Sequence, residues 1–330
     1  MRVVIITEGG EAIGFGHVTR CVSIYQSFVK HGIFPEFIID GDEGINDVMR
    51  GIEYNNYNWK QDKDALYKVV DGCDIAVIDS YLAPVEIYER LSKMVKFPVY
   101  LDDYRRLDYP AGYILNWSIA AKELGYPDRN GKNLLGIDFL MLRQEFCDVP
   151  AREISEEIKT VLITFGGDDL HNMTPLVIEM LNKNFPTLKQ NIILGNSFSK
   201  ENVSKIRKVA GNRAILRQNL SAAEMKEIML NSDIAITAGG QTLGELASCR
   251  LPALVIAIAE NQMNIISGWQ KAGSIRYTGW WEEAGLLNKL KEEINAIKGC
   301  EIREQMSANG KRAIPDQKEA QLLILIMCNN

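Results

Sequence analysis

Short β-branched runs alternate with stretches of helical period along this chain, and the alternation starts twice. In the first half "RVVIIT" reads as a buried strand. A helix follows from His17 to about Lys30, with Val18, Cys21, Val22, Ile24, Tyr25 and Phe28 on one broad apolar face. "FPEFIID" and "DIAVIDS" are further strands, then comes a helix around "PVEIYERLSKM", then "FPVYLDD" and "YILN". The second half repeats the programme with "TVLITF", "LVIEMLNKNF", "QNIILG", "RAILRQ", "SAAEMKEIMLNS", "DIAITAGG", "QTLGELASCR", "PALVIAIA" and "NQMNIISGWQKAG". Ser221 is placed to cap one of these helices and Gly273 to stop another. Strands that alternate with helices form parallel sheets covered on both faces. The expectation is therefore α/β, with two doubly wound Rossmann-type domains.

A chain of 330 residues is too long for one ordinary core and suits two domains. The rhythm breaks at 148–159, "DVPAREISEEIK", where a proline and a charge cluster interrupt it. The predicted domains are 1–150 and 151–330. Past residue 301 the chain reads as two helices split near Pro315, the last one expected to pack back on the N-terminal domain. The net charge of −6 lacks the basic face that nucleic acid requires. Six scattered cysteines form no C-x-x-C pair and predict neither a zinc site nor a disulfide framework, which fits a reducing, cytoplasmic setting. The first apolar run is too short for a signal peptide, and no tract is long enough for a membrane span.

Two doubly wound domains present the carboxyl ends of their strands to a ligand cleft. Three strand ends carry glycine pairs: Gly14-x-Gly16 before His17, Gly166-Gly167 before Asp168, and Gly239-Gly240 before Gln241-Thr242. Each is either a tight turn or a cradle for phosphate, because glycine admits close approach and a helix N-terminus offers free N–H groups. A dinucleotide fingerprint would need glycine at position 19, which is Thr19, and the P-loop ending is missing. His17, at the head of a helix whose dipole disfavours imidazolium, is placed to accept a proton in the cleft. His31 sits at a helix end as a structural residue, and His171 is a further candidate at the rim. Glu245, in the first turns of its helix, is placed to accept ribose hydroxyls. Asn261 and Gln262 are placed to read a sugar. Asp79, Ser80 and Tyr81 end one strand and Asp102 and Asp103 the next. Adjacent carboxylates on a strand face opposite sides, so no catalytic pair is expected of the latter two. No metal is expected.

The stretches "IGFGHVTRC", "LLGIDFLMLRQEF", "VLITFGGDD" and "ITAGGQTLGELASCRLPALVIAIAENQ" together resemble the UDP-2,4-diacetamido-2,4,6-trideoxy-β-L-altropyranose hydrolases of pseudaminic acid biosynthesis, over roughly residues 1 to 275. The resemblance implies the GT-B-like architecture of glycosyltransferases, a UDP-sugar substrate and no cofactor. It implies His17 as the base that activates water, Glu245 on the uridine ribose, and Gly239, Gly240 and Thr242 with Gln241 around the diphosphate. Asn261 would lie near the reacting centre, and Tyr81 matches the tyrosine after the "ID" strand end; both join His17 as catalytic. Gly14, Gly16, Arg20, Asp79, Gly166, Gly167, Asp168 and Gln262 are assigned with them to the substrate. The family's "R-x-D-x-S" is replaced here by a stretch carrying Glu8 and Glu11, and "GGST" by "GGQT". Both changes lie where the sugar is expected. A glycosyltransferase using a UDP-sugar donor and a non-catalytic nucleotide-sugar binder are the alternatives.

Overall fold

The structure is a computed structural model that describes residues 1–10, 13–129, 132–195 and 197–314. Among these, the chain forms two compact units, Met1–Gln144 and Glu145–Ile314. The first holds strands β1 (Val3–Gly9), β2 (Glu36–Gly41), β3 (Asn55–Asn56), β4 (Ile75–Asp79), β5 (Phe97–Leu101), β6 (Tyr113–Asn116) and β7 (Asn133–Leu135). Their order is β3-β2-β1-β4-β5-β6-β7, and every pairing is parallel. Helices α1 (Gly16–Val29), α2 (Ile45–Val48), α3 (Lys63–Val70) and α4 (Val85–Met94) supply the crossovers. β1 lies inside the sheet and every one of its residues is buried, as a strand covered on both faces must be. Ile6, Ile38, Leu66, Ile78, Ile87 and Leu91 form the core on one side.

β1 runs on to Gly9, past the apolar run that marks it in sequence. Gly9 is small for a reason: a Cβ there would lie 2.3 Å from Val18 Cγ2 on α1. The close approach brings the head of α1 down against the end of β1. The register Thr7↔Asp79 then sets the end of β4 beside the end of β1, where the Thr7 hydroxyl donates to the Asp79 carbonyl at 3.1 Å.

The second unit holds β8 (Thr160–Thr164), β9 (Lys189–Leu194), β10 (Ala214–Gln218), β11 (Ile234–Ala238), β12 (Ala253–Ala257) and β13 (Ile275–Trp280). They are parallel, in the order β10-β9-β8-β11-β12-β13. The helices are α5 (Met173–Asn184), α6 (Lys200–Val209), α7 (Ala222–Leu230), α8 (Thr242–Ser248), α9 (Met263–Ala272), α10 (Leu286–Ala296) and α11 (Cys300–Ala313). Ser221 forms a capping box with Glu224, and Gly273 ends α9 at φ +79°. Both units are thus doubly wound Rossmann-type domains, as the alternation predicts. Arg152 donates to the Met229 and Ser232 carbonyls, and fully buried Arg303 donates to those of Glu156, Ile297 and Lys298. The charged stretch around 152–156 is thereby tied to the second unit. The second tail helix expected beyond Pro315, with its packing, lies outside the described residues.

Gly195 marks another close approach. A Cβ there would meet the Gly167 and Gly166 carbonyl oxygens at 2.2 and 2.4 Å. Backbone atoms on both sides leave no flexible group to yield. Gly195→Ala is expected to cost about 1–3 kcal/mol in urea unfolding, the usual cost of overpacking. An unchanged midpoint would show that the turn after β8 relaxes freely.

Candidate active site

In each sheet the strand order reverses between two neighbours, β1 and β4 in one unit, β8 and β11 in the other. Crossovers leave such a pair in opposite directions, which opens a crevice at their carboxyl ends where ligands bind. All three glycine pairs follow strands of these two pairs.

In the first unit Gly10 and Gly14 close the loop after β1 with two backbone hydrogen bonds, of 3.2 and 2.8 Å. Gly14 takes φ +80°, and neither Gly14 nor Gly16 has any atom within 4 Å of where a Cβ would lie. This leaves open space above the loop. Glu11 lies outside the described residues. His17 follows as the second residue of α1, and Asp79 is the last residue of β4. Asp79 Oδ1 lies 2.6 Å from His17 Nδ1. A carboxylate oxygen and a bare ring nitrogen both carry lone pairs and would repel at that distance, so the proton sits on Nδ1. Nε2 is then the basic nitrogen, and its lone pair is the one left for chemistry.

Asp79 is fully buried, and Arg20 binds both of its oxygens. Burial alone would raise the carboxyl, but the Arg20 guanidinium and the His17 ring outweigh it and hold Asp79 well below the usual carboxylate range. Arg20 in turn is desolvated, which lowers its affinity for a proton. Asp103 and Asp79 more than reverse this and push it well above its ordinary value. The second arm of Arg20 donates to both Asp103 oxygens at 2.7 Å. The Tyr81 hydroxyl also donates to Asp103, and burial together with that carboxylate pushes the phenol far up, so it stays protonated. The Tyr81 ring meets His17 edge-on, centroids 4.3 Å apart.

The structure thus brings His17, Arg20, Asp79 and Tyr81 together. Asp79 and Arg20 are buried partners of the histidine. Asp103, set aside in sequence, completes the network. Its neighbour Asp102, just past the end of β5, turns the other way, to the Tyr126 hydroxyl at 2.7 Å and the Arg106 N–H at 3.1 Å. Glu8, expected where a sugar would lie, is buried and accepts the N–H groups of Tyr81 and Leu82. Among the described residues no three His, Cys, Asp or Glu side chains are grouped as metal ligands.

In the second unit the turn after β8 holds exposed Gly166, at φ +81° with open space around it, then Gly167 and half-buried Asp168. Buried Asp169, not Asp168, is the structural acid: it accepts the N–H groups of Met173 and Thr174 at 2.8 Å and so caps α5. Across the crevice Gly239 abuts Ile266, where a Cβ would lie 2.5 Å away, and Gly240 faces open space. Gln241 and Thr242 begin α8, and Glu245 lies one turn in, nearly buried. The Gln262 side-chain oxygen accepts the N–H groups of Gly239 (3.1 Å) and Ile258 (3.0 Å), so it fixes the two loops to each other. Asn261 beside it is exposed. His171 stacks on Trp281 with centroids 3.6 Å apart and donates from Nε2 to the Ile258 carbonyl, while His31 bonds the Ser27 carbonyl on its own helix.

No family model matches the chain. It is 25% identical over 313 residues to an uncharacterized protein of Methanocaldococcus jannaschii, covering 91% of this chain and 64% of that protein. It is 26% identical over 282 residues to the pseudaminic acid cytidylyltransferase and UDP-2,4-diacetamido-2,4,6-trideoxy-β-L-altropyranose hydrolase of Helicobacter pylori, covering 84% of this chain and 48% of that one. The chain therefore spans less than two thirds of the length of either relative. Its fold superposes on the crystal structure of UDP-GlcNAc 2-epimerase from Neisseria meningitidis bound to UDP-GlcNAc, with TM-score 0.70, 14% identity and complete coverage of both chains. The fold is GT-B-like, and the resemblance that the four sequence stretches carry is matched by a relative bearing the hydrolase name.

Proposed function

We propose that this chain is a hydrolase that releases UDP from a UDP-linked 2,4-diacetamido-2,4,6-trideoxy sugar by attack of water at C1. The observation that carries the reading is the pairing of His17 Nδ1 with buried Asp79, which leaves Nε2 as a base beside a glycine loop at a strand-order reversal. The named relative supports the substrate class. In this reading the first unit binds the sugar and does the chemistry, and the second binds UDP.

Nε2 takes a proton from water as the water oxygen bonds to C1 and the bond from C1 to the phosphate oxygen breaks. UDP departs with the bonding pair. The imidazolium formed is stabilised by Asp79 and returns its proton to solvent. Because Asp79 is already ionised and neutralised by Arg20, it need not reorganise while the charge develops. A diphosphate leaves readily, so no strong acid is required. The N–H groups beyond Gly240, with Thr242, receive its charge, Glu245 the ribose, and Asn261 the sugar near C1. The Tyr81 proton is committed to Asp103, so Tyr81 contributes its ring to the wall beside His17.

The test is incubation with UDP-activated diacetamido sugars in oxygen-18 water without acceptor. Label is expected in the free sugar. Label in UDP would mean attack at phosphorus and sink the mechanism. UDP release only after an acceptor is added would make the protein a transferase, and binding without release a carrier.

A further inference from the structure

Glu8 is a buried carboxylate that the proposed reaction does not use. It stands next to last in β1, an interior strand, and is 1% exposed. One oxygen accepts the N–H groups of Tyr81 at 2.9 Å and Leu82 at 3.1 Å. The other accepts Lys60 Nζ at 2.8 Å, and the same ammonium reaches Asp40 at 2.6 Å. From the other side the Ser80 hydroxyl oxygen accepts the N–H groups of Leu82 and Ala83, the Tyr88 hydroxyl donates to the Ser80 carbonyl, and Arg106 donates to the Ala83 carbonyl. Three consecutive loop N–H groups, from Tyr81 to Ala83, are thus held by side-chain acceptors where a surface loop would leave them to water.

We propose that Glu8, neutralised by Lys60, is a positioning residue. It fixes the backbone of Tyr81 so that the tyrosine ring stands edge-on to His17 while its hydroxyl reaches Asp103. The charge makes both amide bonds stronger than neutral ones. Lys60 is required because a carboxylate this buried is costly without a counter-ion. Reach, more than charge, is what the site needs from position 8. The effect on turnover rests on the reading of His17 as the base; the effect on the loop does not.

Two variants separate reach from charge. Glu8→Asp keeps the charge opposite Lys60 but is one methylene too short to hold both amides. Glu8→Gln combined with Lys60→Met keeps an oxygen for the amides and removes the ammonium that the new amide NH2 would face. In Glu8→Asp, amide exchange at Tyr81 and Leu82 is expected to rise about tenfold or more while β1 and β4 stay protected. The His17 ring-proton resonance is expected to shift as the Tyr81 ring moves. kcat is expected to fall about 10–100-fold with KM within about threefold, the scale of a small misplacement near reacting atoms. The double variant is expected to restore exchange, resonance and kcat to within about threefold of the parent. Unchanged exchange in Glu8→Asp, or a double variant no better than it, would overturn the proposal. If the unmodified protein releases no UDP, the hydrolase reading fails, while exchange and the resonance still decide what Glu8 does.

Discussion

His17→Asn is expected to slow UDP release by about two to four orders of magnitude, the contribution of a positioned general base. The substitution is chosen because the asparagine side-chain NH2 can still donate to Asp79, so the buried carboxylate keeps a neutral donor and Arg20 keeps its partner. Stability should therefore stay within about 1 kcal/mol of the parent. KM should change little, since what is lost acts in the transition state and not in ground-state binding. Steady-state UDP release and thermal unfolding on the same preparation check both halves. Turnover within threefold of the parent would remove His17 from the role of base, whatever the oxygen-18 result.

The second large effect is expected at Asp79. Asp79→Asn is nearly the same shape, but it replaces one acceptor oxygen with a donor. If the new NH2 takes the place of Oδ1, Nδ1 must accept, the ring proton moves to Nε2, and the base is lost while one Arg20 donor is opposed. If it takes the place of Oδ2, it collides with the other Arg20 donor. Either way kcat is expected to fall about 10³–10⁴-fold, as when a histidine base is held in the wrong tautomer. The native state should lose about 3 kcal/mol, because a buried cation is left with one carboxylate partner in place of two. The pH dependence has a definite sign. Asp79 is held well below its ordinary range when folded and returns to about 3.9 when unfolded. In acid the unfolded chain therefore binds a proton that the native one does not. Its stabilisation is present in full above about pH 4 and drains away as the pH falls below that. The Asp79→Asn variant should lack this part of the acid slope in urea titrations at pH 3 and 5. An equal slope in both proteins would show that other carboxylates govern acid unfolding.

The fold was legible because it rests on strong local signals. β1, β4, β8, β11 and β12 are built mostly of Val, Ile, Leu and Ala, the composition of strands covered on both faces. Elements with thin signals were not read. β13 contains Arg276 and Gly279 and joins β12 through an irregular register, and α10 buries only Leu286, Leu290 and Ile294 among charged neighbours. Of the site, His17 and the glycine loops were visible because local chain geometry marks them. The partners of His17 were not. Asp79 is 62 residues away and Asp103 lies 83 from Arg20, and their meeting depends on strand order, which periodicity does not encode. Helix-head position alone suggested a ring kept uncharged by the helix dipole. The structure adds a partner that position did not reveal, the buried Asp79 carboxylate 2.6 Å from Nδ1.

The placement of β1 inside its sheet has a consequence for how the molecule matures. It is flanked by β2 on one edge and β4 on the other. During synthesis the first edge can be covered early, but the second stays bare until Ile75–Asp79 has left the ribosome. The last residue of that strand is the carboxylate that orients His17. The pairing that covers this second edge is thus also the step that brings Asp79 to His17, so a sheet lacking β4 has the imidazole without its carboxylate.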